Sequence, residues 1–353
     1  KEGEDLTRHD KWLCMMYPRL KLLQKLLADD GVIFISIDDT ECSNLILICN
    51  EIFGASNFVA NVSWQRTYSP RNDSKGIVSE VEHLVVFSKN PGWQPNKLPR
   101  TEAMDSRYKN PDNDVAPWKS SDAFAPGAAT HQGMVYAIQH PFTGEMLYPS
   151  NGRCWRYQQS SMLEYMQGWC NYRLENLHDE KERARVCGID ESAVRKDVLA
   201  IVLEEPLEVS AAKAQKVYNR GRWPGFYFTK GGYGGIARKT YLENVGGRLP
   251  TNLWMYEETG HTDEAKKELI SLFGGRSPFD TPKPTRLLDF VLKVAGTSET
   301  LMLDSFAGSG TTAHAVLNAN KADNGNRHFI LIEMMDYADS ITAERVKRVI
   351  KGY

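Results

Sequence analysis

The stretch "LMLDSFAGSGTTAHAVLNANK" (301–321) decides the fold class of this chain. Its apolar start predicts a buried strand ending at Asp304, and the residues from Thr311 onward predict a helix. Gly308 and Gly310 allow a sharp turn between them, to which a ligand can come close. Thr311 and Thr312 can cap the helix, whose first amide groups point back towards such a ligand. The same turn also occurs in α/β proteins that bind nothing there.

Similar elements stand at both ends of the chain. The run "GVIFISIDD" (31–39) predicts a strand buried on both faces, between a helix over 10–30 and a helix that begins at Thr40. From residue 262 onward the pattern predicts two amphipathic helices, then the strand and helix of 301–321, a strand over 327–334 and a last helix. Alternating strands and helices predict a doubly wound α/β sheet.

The part of the chain between these ends has a different character. Strands predicted over 58–66 and 81–89 form an antiparallel hairpin with a long polar loop. From 91 to 261 the sequence is rich in Pro, Gly, Trp and Tyr, with basic clusters and one highly charged stretch, 179–205, that predicts a helix. We interpret it as an inserted domain. The predicted segments are 1–90, 91–261 and 262–353.

Composition narrows the class of protein. The 353 residues are 41% hydrophobic and 25% charged, as in globular proteins, and no apolar run reaches the ~20 residues that span a bilayer. Net charge is -2, so any nucleic-acid contact must come from a local patch. The six cysteines form no CxxC pair, which predicts no metal site and a reducing, cytoplasmic location. The chain starts with Lys instead of Met, and we expect it to begin within a longer protein.

The turn itself selects among nucleotide ligands. A triphosphate loop needs a lysine that is absent here, and a dinucleotide loop needs a third glycine that 311–313 does not supply. Glu333, at the end of the next strand, can accept hydrogen bonds from both hydroxyls of a ribose. Asp304 suits a ligand with a cationic end. S-adenosylmethionine matches this pair of acids, and a nicotinamide-dependent oxidoreductase stays as a weaker alternative.

Two further residues are predicted at the same site. Lys283 stands at the start of the helix that leads to the glycine-rich strand, where it can bind a carboxylate such as that of methionine. Asp38 ends the strand 31–39 and is expected to face the cofactor cleft. Either side chain can equally be a solvated or capping residue.

Six pieces of the sequence together resemble the β-class DNA amino-methyltransferases, and most closely the modification subunits of type III restriction–modification systems. They are "DKWLCMMYPRLKLLQKLLADDGVIFISIDD", "EIFGASNFVANVSWQR", "SRYKNPDNDVAPWKSSD", "GRCWRY", "FDTPKPTRLLDFVLK" and "LDSFAGSGTTAHAVL". In that class the catalytic half comes first, a target-recognition domain is inserted, and the cofactor half comes last. This order explains why the glycine turn stands late in the chain.

The resemblance implies a seven-stranded methyltransferase sheet with an antiparallel edge hairpin, S-adenosylmethionine as cofactor, and methyl transfer to adenine N6 in duplex DNA by base flipping. It carries the cofactor loop onto five residues, the preceding motif onto Lys283 and the ribose-binding acid onto Glu333. The loop residues are Asp304, Phe306, Gly308, Gly310 and Thr311. It also implies a homodimer and an associated restriction subunit that acts as translocase and nuclease.

The family's catalytic tetrapeptide, Asp-Pro-Pro-Tyr, does not occur in these 353 residues. No catalytic residue is therefore assigned, and cytosine N4 stays open as the methylated atom. A non-catalytic recognition subunit that keeps the fold is the alternative from another class. Trp64 and His83, on the hairpin, are expected near the base pocket.

The inserted segment is expected to hold duplex DNA through basic side chains interleaved with aromatic rings. The candidate DNA contacts are Arg107, Lys109, Arg153, Trp155, Arg156, Lys230, Arg238 and Lys239.

Overall fold

The computed structural model describes residues 7–69, 76–275 and 277–352. The chain forms two compact units. The flanking unit combines Lys1–Pro99 with Gly247–Tyr353, and the middle unit is Arg100–Gly246. The predicted segment 91–261 extends beyond the middle unit at both ends.

The first part of the flanking unit contains an antiparallel sheet with two helices. Its elements are α1 (Arg8–Leu26), β1 (Val32–Ile37), α2 (Cys42–Phe53), β2 (Phe58–Gln65) and β3 (Val81–Ser88). Strand β3 lies between β1 and β2 and is antiparallel to both. The predicted hairpin is thus confirmed, while part of its loop, 70–75, lies outside the described residues.

The middle unit consists of three small sheets around an aromatic core. Its elements are α3 (Glu102–Asp105), β4 (Trp118–Asp122), β5 (Phe124–Pro126), β6 (Ile138–Gln139), β7 (Met146–Leu147), β8 (Arg153–Trp155), α4 (Gln159–Gln167), β9 (Tyr172–Glu175), α5 (Glu180–Cys187), β10 (Ala200–Leu203), α6 (Leu207–Arg220), β11 (Phe226–Phe228) and β12 (Ile236–Tyr241). The strand orders are β7-β6-β10-β9, β11-β12-β4 and β5-β8. Trp155, Trp169 and Phe228 are almost fully buried in its core.

The predicted helix over 179–205 is wrong in its second half. Glu180–Cys187 is α-helical and Glu191–Ala193 is a single 3₁₀ turn, but Ala200–Leu203 is a strand with all four side chains buried. An unbroken apolar run of this length fits a two-sided strand better than an amphipathic helix.

The second part of the flanking unit begins with a strand that joins the first sheet. Its elements are β13 (Leu253–Trp254), α7 (Tyr256–Thr259), α8 (Thr262–Phe273), α9 (Thr285–Ala295), β14 (Leu301–Asp304), α10 (Thr311–Asp323), β15 (His328–Leu331) and α11 (Glu344–Lys351). A π-helical stretch, Ala338–Ala343, precedes α11. Strand β13 is parallel to β2, and β14 is parallel to β15. No described helix is both long and apolar enough to cross a bilayer.

The flanking unit is of the α/β class, as predicted, but its described strands form two sheets. One has the order β1-β3-β2-β13 and the other is the pair β14-β15. Helix α9 packs on both, because Phe290 and Val291 lie in a cluster that includes Phe34 of β1 and Met302 of β14.

The two ends of the flanking unit meet where the chain leaves for the middle unit and returns. Leu98 N donates to Arg248 O at 2.8 Å, and Arg248 N donates to Leu98 O at 2.9 Å. Leu98 is buried in the α9 cluster. The exit and return points of the chain are therefore joined by main-chain hydrogen bonds.

Candidate cofactor site

The glycine turn between β14 and α10 has the backbone that its sequence predicts. Gly308 has φ +52° and Gly310 has φ +77°, in the left-handed region that favours glycine. A Cβ atom at Gly310 would lie 3.0 Å from Thr342 O, so the turn packs closely against the segment that precedes α11.

The predicted threonine caps are wrong. Gly310 occupies the N-cap position of α10, with no side-chain hydrogen bond to the helix amides. The hydroxyl of Thr311 donates to the main-chain oxygen of Lys283 at 3.1 Å, and that of Thr312 donates to Asp304 Oδ2 at 2.6 Å. Both hydroxyls therefore tie the turn to its surroundings.

Asp304 and Glu333 lie on either side of this turn. They follow paired parallel strands, since Asp304 stands opposite Leu331 in the register and Glu333 comes two residues later. Asp304 accepts hydrogen bonds from Phe306 N at 3.1 Å and from Thr312. Phe306 itself is 52% exposed beside the turn.

Glu333 holds the backbone of the turn directly. Its Oε2 accepts from Gly308 N at 2.8 Å, and its Oε1 accepts from the main-chain nitrogens of Met334 and Met335, both at 3.0 Å. It also lines a cavity of about 460 Å³ together with Leu331 and Thr342.

Lys283 and Asp38 lie at a second cavity of about 440 Å³, at the carboxyl end of β1. Asp38 Oδ1 accepts from Thr40 N at 3.0 Å. The Lys283 ammonium forms an ion pair with Glu82 and lies 5.2 Å from the centre of the Trp64 ring. Glu82 is a site residue that sequence reasoning missed.

Within the described part of the chain, the two cavities share no lining residue. The hydrogen bond from the Thr311 hydroxyl to the Lys283 carbonyl connects the glycine turn to the second cavity, which Lys283 lines.

The two hairpin residues predicted near the base pocket point to opposite faces of the sheet. Trp64 is fully buried on the α9 side, where its Nε1 donates to Gly260 O at 3.1 Å. His83 Nε2 lies 2.8 Å from Asp39 Oδ1 on the other face. The hydrogen bond with His83 is the main cause that lowers the pKa of Asp39.

The basic residues predicted to contact DNA differ in exposure. Four are exposed on the middle unit: Arg107, Lys109, Arg156 and Lys230. Arg153 is half-buried and pairs with Asp122 at 2.5 Å, and Arg238 Nε donates to Asp122 O at 3.3 Å.

Three arginines lie close to Asp122: Arg153 and Arg156 act on its carboxylate, and Arg238 donates to its main-chain oxygen. Burial raises the pKa of Asp122, but hydrogen bonds from Phe124 N and Arg153 and the charges of Arg153 and Arg156 bring it below its usual value. With Arg238 beside them, the local charge is positive.

Two of the predicted DNA contacts lie inside the middle unit. The Lys239 side chain is 0% exposed and its ammonium is paired with Asp112 and Asp114. Trp155 is 1% exposed, and its Nε1 donates to Tyr136 O at 2.8 Å. Neither side chain is accessible to a phosphate or a base, so neither belongs to the proposed DNA interface. An Arg/Lys-rich pattern alone does not distinguish surface cations from buried ones.

Comparison with known proteins identifies the family of this chain. A family model described as DNA methylase matches residues 1–344. The chain belongs to this family.

Its relatives include modification enzymes of two types. The StyLTI Mod subunit of a type III restriction-modification enzyme from Salmonella typhimurium is 31% identical over 99% of this chain and 46% of its own length. The EcoPI Mod subunit of Escherichia phage P1 is 28% identical over 93% of the chain and 46% of its own length. The type II methyltransferase M.KpnI from Klebsiella pneumoniae is 27% identical over 92% and 67%. The chain thus spans about half the length of the type III subunits that it matches.

Proposed function

We propose that the whole protein transfers a methyl group from S-adenosylmethionine to adenine N6 in duplex DNA, as part of a restriction–modification system. The observation that carries this proposal is the turn bracketed by Asp304 and Glu333, in a chain that belongs to the DNA methylase family. The type III Mod subunits among its relatives support the restriction–modification context.

The donors and acceptors at the turn fit this cofactor. An ionised carboxylate offers about four acceptor positions. Asp304 accepts two hydrogen bonds, and Glu333 accepts three from main-chain nitrogens and one from the Tyr337 hydroxyl. Asp304 thus keeps capacity for an ammonium group, a ribose hydroxyl at Glu333 would take the place of the Tyr337 hydroxyl, and Gly308 lets the ligand approach the backbone.

The site residues of this chain have binding roles in the proposal. When bound, S-adenosylmethionine supplies an electrophilic methyl group on a sulfonium. Asp304, Phe306 and Glu333 hold and orient the nucleoside, while Lys283 and Asp38 form the polar wall of the second cavity. No residue is assigned to the transfer step, because the family tetrapeptide does not occur in these 353 residues.

We expect Asp304→Ala to weaken S-adenosylmethionine binding at least about tenfold, because a hydrogen bond to a charged group contributes about 1.5–3 kcal/mol. Isothermal titration calorimetry with S-adenosylmethionine measures this directly. Asp323→Ala, at the other end of α10, is the control, since Asp323 is exposed and pairs with Arg327. Normal cofactor binding by a folded Asp304→Ala protein would show that the site is placed wrongly.

The finer architecture of the flanking unit is also part of the proposal. In the whole protein the two sheets belong to one seven-stranded methyltransferase sheet, with the hairpin β2–β3 near one edge. Two observations support this: among the described residues β1 pairs only with β3 and β14 only with β15, and both β1 and β14 pack on helix α9. A further strand between β1 and β14 would cover the half-exposed apolar side chains of both.

The middle unit serves as the target-recognition domain in this proposal. Extruding a base from the duplex costs a few kcal/mol, which contacts to phosphates and grooves offset. Arg153, Arg156 and Arg238 around Asp122 supply a positive patch, and the Tyr157 ring is 36% exposed next to Arg156 in the chain. Arg107, Lys109 and Lys230 are further exposed cations of the same unit.

Arg156→Ala is expected to weaken binding to duplex DNA several-fold and to reduce the slope of log K against log salt by about 1, as for one lost phosphate contact. Fluorescence anisotropy at several salt concentrations gives both quantities. Arg185→Ala is the matched control, because Arg185 is another exposed arginine of the middle unit and pairs with Glu182. S-adenosylmethionine affinity should not change, and an equal loss of DNA binding in both variants would contradict the assigned patch.

The methylated atom is tested on the product. Mass spectrometry of nucleosides from DNA treated with the whole protein should detect N6-methyladenine. N4-methylcytosine would reassign the substrate, and no methylated base would favour a non-catalytic recognition subunit, which the missing tetrapeptide already motivates. A homodimer and an associated restriction subunit complete the proposed assembly.

A further inference from the structure

A buried cluster of polar side chains lies directly behind the glycine turn. Its centre is Arg345 of α11, whose side chain is 0% exposed. The other members come from three helices and the turn itself. They are Glu268 of α8, Thr285 of α9, Thr311 and His314 of α10, and Ser309.

The two ends of the Arg345 guanidinium have different partners. Nη1 donates to Ser309 Oγ at 3.1 Å and to Thr311 Oγ1 at 2.9 Å, both next to Gly310. Nη2 donates to Glu268 Oε2 at 2.8 Å and to Thr285 Oγ1 at 3.1 Å. One planar group therefore connects the turn with helices α8 and α9.

The ionisation states of the cluster follow from its donors. A guanidinium only donates, so a neutral His314 ring with an unprotonated Nδ1 suits the 3.1 Å distance between Nδ1 and Nη2. Burial is the main cause that lowers the pKa of His314, and the charge of Arg345 acts in the same direction against Glu268. The carboxylate of Glu268 balances the buried positive charge.

The same segment of chain also fixes the turn from a second point. Thr342 Oγ1 donates to Gly308 O at 2.6 Å, and Gly308 N in turn donates to Glu333. The conformation of 308–311 is thus set by contacts from 342 and 345. These contacts form within the protein itself, since Ser309 and Arg345 are buried at 3% and 0% exposure, so the turn keeps this conformation without a ligand.

We propose that Arg345 is a positioning residue for the cofactor, which holds the glycine turn in its binding conformation from behind without touching the ligand. This inference rests on the proposed function. A rigid second layer matters because a binding group must be held close to its productive geometry.

The test separates holding the turn from merely stabilising the fold. In Arg345→Lys the positive charge beside Glu268 is kept, but a single ammonium cannot bridge both groups of partners. In Ser309→Ala the pair of Arg345 with Glu268 is kept, while the contacts of Ser309 Oγ with Arg345 and with Thr311 Oγ1 are removed. Arg348→Lys is the control, since Arg348 lies on the same helix and donates to Glu344 and to Leu272 O.

We expect S-adenosylmethionine to bind about tenfold more weakly to Arg345→Lys and several-fold more weakly to Ser309→Ala, with the control unchanged. Calorimetric titration is done well below the melting temperature of each variant, and hydrogen exchange at the amides of 308–311 should become faster in both. Unchanged affinity and exchange in Ser309→Ala and in any folded Arg345→Lys would overturn the inference while the proposed function stands. Absence of binding by the unmodified protein would overturn the proposed function and this inference with it.

Discussion

Lys239→Met is expected to destabilise the middle unit by about 3–5 kcal/mol, the usual cost of removing one partner from a buried ion pair. The Lys239 ammonium lies 2.5 Å from Asp112 Oδ2 and 2.5 Å from Asp114 Oδ2, and it donates to Trp223 O at 2.7 Å. The side chains of Lys239 and Asp112 are both 0% exposed. Without the cation, two carboxylates would face each other away from water.

Both carboxylates also accept hydrogen bonds from groups other than Lys239. Asp112 accepts from Trp118 Nε1 at 2.8 Å and from Trp223 N at 2.7 Å. Burial raises the pKa of Asp114, but hydrogen bonds from Lys239 and Tyr241 outweigh it, so the pKa lies below its usual value. The ion cluster therefore has a structural role.

Urea unfolding followed by tryptophan fluorescence measures this loss, because Trp118 and Trp223 adjoin the cluster. Lys213→Met is the control: Lys213 forms a partly exposed pair with Glu205, and such pairs contribute about 0–1 kcal/mol. A Lys239→Met protein that kept its stability but lost DNA binding would restore Lys239 to the interface from which its burial removes it.

Gly221→Ala is expected to cost about 3 kcal/mol or more, since a backbone region open only to glycine and a steric clash act together. Gly221 has φ +78° and ψ −168°, and a Cβ atom there would lie 2.3 Å from Asp112 O. That carbonyl accepts from Arg222 N at 2.7 Å, so the backbone cannot move aside without losing a hydrogen bond.

Gly188→Ala provides the comparison for this prediction. Gly188 has φ +68° and ψ 35°, and no atom of the described residues lies within 4 Å of where a Cβ atom would stand. Gly188→Ala is therefore expected to lower stability only by the cost of the left-handed conformation, about 1–2 kcal/mol. Denaturant midpoints of the two variants decide between the explanations, and equal losses would mean that the contact with Asp112 contributes nothing.

Local features of the fold could be predicted well from the sequence. The strand, turn and helix of 301–321 follow from apolar periodicity and two glycines, and the structure places them at β14 and α10. The position of Glu333 beside the turn follows equally from strand order, because β14 and β15 are parallel neighbours. Such patterns depend on residues that are close in the chain.

Long-range pairings could not be predicted in this way. Lys283 meets Glu82 across 201 residues, and Arg345 meets Glu268 across 77. Nothing near Lys283 or Lys239 in the sequence shows whether its ammonium reaches solvent, a ligand or a buried acid. Only the folded register of distant strands and helices decides that.

The reciprocal hydrogen bonds between Leu98 and Arg248 have a consequence for how such a protein can evolve. Two main-chain hydrogen bonds hold the junctions together, and doubling the length of an intervening loop costs only about 0.6 kcal/mol in closure entropy. A stretch held at so narrow a base can be exchanged for one of different size while the rest of the protein keeps its packing. Under the proposed role of the middle unit in target recognition, recombination at these two junctions would change the DNA target in a single step.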